Sequence, residues 1–324
     1  MAKIIGRTGA IGIGSEATKG TPVAAQYWIP VEGYSYDDKV EKIKNESALG
    51  RIEEMNASNI IKRWGEGDYD GKIFLNSVGA ELVALFGQSP TSVQRAATGV
   101  YDHTYALLNN NNHKSLTLAY KDAVEEESFP LAMLDSWSLD VAVDDYVKRT
   151  VSLIGKKSGA ASHTPAFVNE VEFIPSQVSF KMATNQAGLA AASAINVTHF
   201  SMEVKKNVET IHVLGSDEPQ DIVNKQFNVT GSIDLYFEDA SYKTIVMTDL
   251  KKALRIQMKD LTTDLGTGHN PELYFDLNQV TFDEYERSWS SNDPLAQTLS
   301  FEALFSMADV AMISARLTNR IASY

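Results

Sequence analysis

The sequence contains no cysteine, and this absence excludes several structures and chemistries. Disulfide bonds, thiolate metal sites and cysteine nucleophiles all require the thiol, so other forces must hold the fold. Long apolar runs are also missing, because no stretch approaches the roughly 20 consecutive apolar residues of a membrane-spanning helix. The N-terminus lacks the apolar region of a secretory signal. These absences predict a soluble protein that is not exported by that route and does not use a membrane.

Positive charge is in deficit. Lys and Arg number 29 against 42 Asp and Glu, which gives a net charge of −13. A field of this sign repels phosphate backbones and anionic lipid surfaces. The composition therefore argues against a conventional nucleic-acid binder. Each small acidic cluster, taken alone, is also consistent with an ordinary solvated loop.

Signatures of catalysis are missing as well. The 6 histidines are scattered, and none lies in a His-Glu-x-x-His frame or beside a second close ligand. No Gly-x-Ser-x-Gly elbow is present. The Gly-rich segment 14–21 places Lys19 before Gly20, the reverse of a P-loop, and carries Glu16 where an anion would bind. We therefore expect a protein that is not an enzyme, with no catalytic, cofactor-binding or metal-binding residues. A carbohydrate-active enzyme stays open as the remote alternative, because sequence spacing cannot show a cleft with paired carboxylates.

Apolar and polar residues alternate with the period of a β-strand in many segments. Two further segments carry one apolar stripe at helical spacing, which is typical of a helix that packs on a sheet. The sequence therefore predicts a mainly β fold of the α+β type. The predicted strands are 115–121, 136–143, 147–153, 233–237, 254–258, 273–277 and 299–301, and the predicted helices are 78–86 and 242–250.

The order of these elements occurs twice along the chain, although few residues are identical between the two copies. Repetition at this scale indicates two related units. The matched landmarks are Ser35 with Ser201, Gly50 with Gly215, Gly71 with Gly231, and the strand ending at Lys121 with the strand ending at Lys259.

The length of 324 residues suits two domains of ordinary size better than one large core. The first 25 residues are Gly-rich and show no sustained period, which favours an arm over a domain. We therefore expect an N-terminal arm at 1–25, a first β domain at 26–165 and a second β domain at 166–324.

Each half carries a long polar stretch between strands, at 51–70 and at 216–230. Long connections inside compact β domains are usually functional, and a mixture of both charges with an aromatic residue suits a protein surface better than a small-molecule pocket. A flexible hairpin tip that contacts nothing is the alternative. The residues predicted to make contacts here are Glu53, Glu54, Arg63, Trp64, Glu66, Asp217, Glu218 and Lys225.

Several short motifs can be compared with known families. They are Gly12-Ile13-Gly14-Ser15-Glu16-Ala17-Thr18-Lys19-Gly20-Thr21-Pro22, then Tyr27, Ile29-Pro30 and Ser35, and then Ala48-Leu49-Gly50-Arg51 and Gly71-Lys72-Ile73. In these motifs and in its order of elements the chain resembles the tail tube proteins of long-tailed bacteriophages, in a two-domain form. The resemblance is specific at the N-terminus and diffuse elsewhere.

This resemblance implies two tandem β-sandwich or split-barrel modules, each flanked by one α-helix. It implies a structural protein of the virion tail, made in the cytoplasm of the host bacterium, whose subunits form rings that stack into a hollow tube. No catalytic residue and no cofactor come with it. The implied partners are further copies of the chain, a tape measure protein, tail-end proteins, and double-stranded DNA that passes without specific binding.

Elementary physics is consistent with this role. Open sheet edges must be paired or blunted, and a ring in which each sheet continues into the next subunit pairs them. A duplicated chain could build a pseudo-sixfold ring from three subunits, and we favour this trimer over a hexamer. The candidates for contacts between stacked rings are the stretches 51–70 and 216–230, with the residues named above, and the N-terminal arm. An acidic lumen would let DNA slide, and by alternation Asp140 and Asp234 are the candidate lumen-facing residues. The alternative function is a capsid decoration or adhesin-like β protein that oligomerises without stacking.

Overall fold

The computed structural model describes residue 3 and residues 5–96 and 98–324. Among these residues, strands join into one branched system of 19 strands and a separate two-stranded sheet. The mainly β architecture predicted from the sequence is confirmed. In the same residues, no helix is both long and apolar enough to cross a membrane.

The strands before residue 160 are β1 (Ala10–Ser15), β2 (Tyr27–Ile29), β3 (Gly33–Tyr34), β4 (Asp37–Asn45), β5 (Ala57–Lys72), β6 (Thr91–Gln94), β7 (Tyr101–Ala106), β8 (Leu116–Lys121), β9 (Glu126–Ala142), β10 (Lys148–Gly155) and β11 (Gly159–Ala160). Those that follow are β12 (Val178–Ala183), β13 (Ala194–Ile195), β14 (Val197–Lys205), β15 (Glu209–Ile211), β16 (Asp221–Val223), β17 (Asn228–Tyr236), β18 (Lys252–Lys259), β19 (Glu272–Ser288), β20 (Ala296–Ala303) and β21 (Ile313–Asn319). The helices are α1 (Ser77–Phe86) and α2 (Ser241–Met247), with 3-10 turns at Gly6–Thr8, Pro175–Gln177 and Gln186–Gly188.

The two halves pair their strands in the same order. In the first half the order is β4-β5-β10-β9-β8, and every pair is antiparallel. In the second half it is β14-β17-β20-β19-β18, again antiparallel throughout. A helix follows the second strand of each set, α1 after β5 and α2 after β17. The long strands β9 and β19 both contain 17 residues.

β9 and β19 also carry β-bulges at matching positions. In β9 the register shifts between residues 129 and 132 against β8, and at Asp135 against β10. In β19 it shifts between residues 277 and 280 against β18, and at Asp283 against β20. Each bulge in β19 follows its counterpart in β9 by the same number of residues. Because each bulge inserts an extra residue at a defined place, the matches align β9 with β19 residue by residue.

The strand pairing shows that one match made from the sequence, Gly71 with Gly231, is wrong. Gly231 lies opposite Phe301 of β20, and Gly67 lies opposite Leu153 of β10. Since Leu153 and Phe301 occupy the same position in their strands, the counterpart of Gly231 is Gly67 and not Gly71.

The close packing around position 231 leaves room only for glycine. A Cβ atom there would lie within 3.0 Å of the Ser201 carbonyl oxygen and the Phe301 ring. We expect Gly231→Ala to lower the free energy of unfolding by about 2 kcal/mol, measured by urea denaturation. At Gly159 the nearest atom to an added Cβ is the Ser128 carbonyl oxygen at 3.9 Å, so Gly159→Ala should change it by less than about 0.5 kcal/mol. Equal losses in the two variants would contradict this account.

Part of the segment expected to be an arm is an internal strand. β1 lies between β2 and β8, and its Ile11 and Ile13 side chains are buried. Between them, Gly12 leaves room for the side chains of Ala25 and Trp28. The glycines hide this strand in the sequence because they remove the apolar and polar alternation that marks one.

Most of the long polar stretch 51–70 is strand as well. β5 forms a long hairpin with β4, and the ladder extends out to Asn45 and Ala57, so that only residues 46–56 form the connecting tip. The outer part of β5 is exposed on both faces, so its sequence shows no alternation. The segment 171–173 contributes only a single bridge, between Phe74 and Glu172.

The two helices differ in their surroundings. All 10 residues of α1 are buried, because β1, β2, β7 and β9 surround it. No residue of α2 is buried, and its main contact is with β19. One hydrophobic core nevertheless includes residues from both halves of the chain.

An ion pair lies inside this core. Arg149 Nε donates to Glu81 Oε1 at 2.8 Å, and the Arg149 and Glu81 side chains are 1% and 0% exposed. Tyr69 and Trp137 also donate to Glu81, at 3.2 and 3.3 Å. Burial, and secondarily the Glu81 charge, raises the pKa of Tyr69 well above its ordinary value. The four side chains connect α1 to β5, β9 and β10.

Candidate assembly surfaces

A ladder within the chain connects the two halves. β9 pairs with β14 from Ala142 opposite His199 to Ser136 opposite Lys205. This seam joins both sets of strands into one continuous order, β4-β5-β10-β9-β14-β17-β20-β19, which we call the central sheet. The seam therefore shows how a strand of one half pairs with a strand of the other.

The bulge residue Asp135 closes the end of this seam. Its carbonyl oxygen accepts the Lys206 N–H at 2.7 Å, and its carboxylate accepts the Val208 N–H at 2.9 Å. The Lys206 ammonium group donates to the Ala84 carbonyl oxygen at 2.7 Å, near the C-terminus of α1, where a positive charge is favoured. Burial, with a smaller effect of Lys19, lowers the pKa of Lys206 to about 7.

The central sheet ends in two edges that have no strand across them among the described residues. One is the outer edge of β3 and β4, and every residue of β4 is exposed. The other is the stretch 282–288 of β19, on the side opposite β20, since β18 covers this side only as far as Val280. Long unpaired edges are sites where another chain can add its strand.

The two edges differ in charge. The free stretch of β19 is net acidic, with Asp283, Glu284 and Glu286 against Arg287. β4 mixes both signs, with Lys39, Lys42 and Lys44 beside Asp37, Asp38 and Glu41. Exposed apolar residues accompany the charges, including Val40 and Ile43 on β4 and Trp289 directly after β19. Exposed apolar groups beside charges that can pair are features of surfaces that bind one another.

Asp140 and Asp234 lie together on the solvent-facing side of the central sheet, with 56% and 37% of their side chains exposed. His199 joins them, because its Nε2 lies 2.9 Å from Asp140 and its Nδ1 lies 3.4 Å from Asp234. The Thr298 hydroxyl donates to Asp234 at 2.7 Å. Sequence reasoning missed His199, although its alternation with Ser201 in β14 would have placed it on this face.

Hydroxyl groups dominate the rest of this face. They line successive strands of the central sheet, where they alternate with the buried apolar residues that face the helices. The hydroxyl residues are Ser136, Ser138, Thr150, Ser152, Ser201, Thr230, Ser232, Thr298 and Ser300. The face is therefore polar and mainly acidic, and the lysines on it, Lys148 and Lys205, pair with Asp145 and Glu203.

The residues predicted to make ring contacts do not form one group. Glu53 and Glu54 lie in the exposed tip 46–56. Trp64 and Glu66 lie on β5, where the Trp64 indole N–H donates to Glu66 at 2.6 Å. All residues of the tip are exposed.

The remaining four contact candidates are engaged within the chain. Arg63 Nε lies 3.1 Å from the Asp217 carboxylate, and the Arg63 backbone N–H donates to the Asp217 carbonyl oxygen at 2.7 Å. Glu218 pairs with Lys157 at 3.0 Å, and Lys225 pairs with Glu209 at 2.8 Å. The loop of the second half therefore lies against the first half.

Among the described residues, no group of three or more His, Asp and Glu side chains is arranged to hold a metal ion. No curated protein matches the sequence significantly. A family model described as "Phage tail tube protein" matches residues 6–303, which is nearly the whole chain. The repeated β pairing, the seam and the open edges agree with a protein that builds a larger structure from its own copies, and the chain belongs to the phage tail tube protein family, as a structural protein of the virion tail.

Proposed function

We propose that copies of this chain pair side by side into rings, that the rings stack into a hollow tail tube, and that the tube conducts double-stranded DNA during ejection. The observation that carries the proposal is the seam between β9 and β14. It continues the sheet from one half to the other and leaves one open edge at each end. Such a sheet pairs all its edges only when copies of the chain close it into a ring.

The repeated pairing order supports a division into a module at 26–165 and a module at 166–324. Two modules with the same order of strands can occupy equivalent places around one axis. Three chains then supply six modules, and for this reason we favour a trimeric ring over a hexamer of chains.

The solvent-facing side of the central sheet would line the lumen. Its hydroxyl groups and acids, Asp140 and Asp234 among them, do not attract phosphate, and its Lys148 and Lys205 side chains are already paired with carboxylates. DNA then passes with few arrests. The assembled tube would also contact a tape measure protein and tail-end proteins, and its subunits would be made in the host cytoplasm.

Electron microscopy of the concentrated, purified protein tests the proposal. Filaments with an axial repeat and a central hole are the expected result, and native mass spectrometry of isolated rings should give three copies. Rings that never stack would favour the decoration or adhesin-like alternative. Monomers at every concentration would contradict assembly altogether.

Charge reversal on the sheet face tests the lumen assignment. We expect the double variant Asp140→Lys, Asp234→Lys to form tubes but to slow DNA release from particles at low salt, because lysines in the lumen would bind phosphates. The slowing should fade as salt screens the charges. The matched control is Glu125→Lys, Glu238→Lys, which changes the net charge equally at exposed positions outside the strands of the central sheet. Equal release by both variants would place Asp140 and Asp234 outside the lumen.

A further inference from the structure

Resting on the proposed ring, we infer that residues 282–288 of one chain pair antiparallel with residues 35–41 of a second copy, in the register of the β9–β14 seam. Glu284 then lies opposite Lys39, and Asp283 accepts the backbone N–H of Lys42. The partner surface is thus the β3–β4 edge of the same protein.

The position of residues 282–288 in this register comes from the alignment of β19 with β9. Their bulges align Asp135 with Asp283, so Ser136 corresponds to Glu284. By the same alignment Val141 corresponds to Trp289, one residue beyond the end of β19.

The position of residues 35–41 in this register comes from the alignment of the β3–β4 edge with β14. The Ser35 N–H donates to the carbonyl oxygen of Asp68, the residue after Gly67. Ser201 lies opposite Ser232, the residue after Gly231. Because Gly67 and Gly231 correspond, Ser201 corresponds to Ser35. It follows that Lys205 corresponds to Lys39 and Phe200 to Tyr34.

The contacts of the seam can now be transferred to the contact between chains. Ser136 lies opposite Lys205 in the seam, and its counterpart Glu284 would lie opposite Lys39. This places opposite charges directly across the ladder, which stabilises a strand pair by roughly 0.2–1 kcal/mol.

The same register places an aromatic residue opposite the exposed Trp289. Val141 lies opposite Phe200 in the seam, so Trp289 would lie opposite Tyr34. Trp289 is 74% exposed in the single chain, and Tyr34 already stacks on Tyr120 with ring centroids 5.1 Å apart. An aromatic pair of this kind buries a large area, as the central contacts of protein interfaces do.

Asp283 would repeat the role of Asp135. In the seam, the Asp135 carboxylate accepts the Val208 N–H, and the counterpart of Val208 is Lys42. In the single chain Asp283 is exposed. Its carboxylate is thus free to accept an amide from a second copy.

The register also places two like charges together. Ser138 lies opposite Glu203 in the seam, and their counterparts are Glu286 and Asp37. Two carboxylates directly opposite each other destabilise a ladder. Neutralising Glu286 should therefore strengthen the contact, whereas neutralising Glu284, two residues away, should weaken it.

A charge swap tests the register. Glu284→Lys and Lys39→Glu should each raise the critical concentration for assembly, measured by sedimentation, by about tenfold, and the double variant should return it toward the wild-type value. Glu286→Gln should lower the critical concentration severalfold. If the wild-type protein forms tubes but the double variant does not recover assembly, the register is wrong and the proposed function stands. Wild-type protein that never assembles would instead overturn the proposed function.

Asp283→Ala gives a second readout that does not depend on the swap. It should raise the critical concentration and leave the melting temperature of the isolated subunit unchanged. Asp135→Ala is the matched control, because it removes the same hydrogen bond inside the chain and should lower that melting temperature. A lower melting temperature for Asp283→Ala with unchanged assembly would assign Asp283 to the fold and contradict the inference.

Discussion

Replacing residues 46–56 with an Asn-Gly turn is expected to leave a folded subunit that forms rings but no tubes. The β4–β5 ladder ends at Asn45 and Ala57, so the change removes only the tip. Asn-Gly favours the tight turn that joins two antiparallel strands. The tip exposes Leu49 and Ile52 together with Glu53 and Glu54, a mixture that suits contact with a neighbouring ring. Electron microscopy would show single rings in place of filaments.

A tip of unchanged length made of Gly and Ser is the matched control, since it separates the side chains from the reach of the hairpin. Both variants should fail to stack if the side chains make the contact. Filaments of normal length from the Asn-Gly variant would contradict the assignment, and loss of the rings themselves would assign the tip to contacts within a ring. Deletion of the whole polar stretch 51–70 would remove most of β5 and could not test assembly.

Arg149→Met is expected to destabilise the subunit by about 3–5 kcal/mol, because it leaves the Glu81 carboxylate buried without a countercharge. Urea denaturation would measure the loss. The double variant Glu81→Gln, Arg149→Met should recover most of it, since it carries no buried charge and keeps an acceptor for Tyr69 and Trp137.

The second half supplies the control for this prediction. Gln297 occupies the position of Arg149 in β20 and is also buried, but it is neutral. Gln297→Met should therefore change the free energy of unfolding by no more than about 1 kcal/mol, because no charge is left without a partner. Similar losses for Arg149→Met and Gln297→Met would show that the ion pair contributes little beyond packing.

Strands with one buried and one polar face were predictable from the sequence. The hairpin of β9 and β10 and the strands β17 to β20 follow from alternation, because each packs one face on the core. β1 and the outer part of β5 were not predictable. Glycines remove the alternation in β1, and exposure on both faces removes it in the outer part of β5.

The assembly surfaces were predictable only in part. Alternation identified Asp140 and Asp234, which share one face, but it could not show that His199 lies between them. The seam joins strands far apart in sequence, and its register depends on a bulge at Asp135 that no local pattern marks. The engagement of Arg63 with Asp217 depends on how the β4–β5 hairpin and the connection between β15 and β16 lie against each other, which spacing along the chain does not encode.

The unequal burial of α1 and α2 has a consequence for the outside of the tube. Both helices lie on the side of the sheet away from the polar face, but other strands enclose α1, whereas α2 exposes Met247. In a ring of three chains, covered and uncovered helices would alternate around the circumference. The exterior would then have threefold symmetry while the bore approaches sixfold symmetry. A protein that grips the tube from outside could distinguish a rotation by one module from a rotation by two.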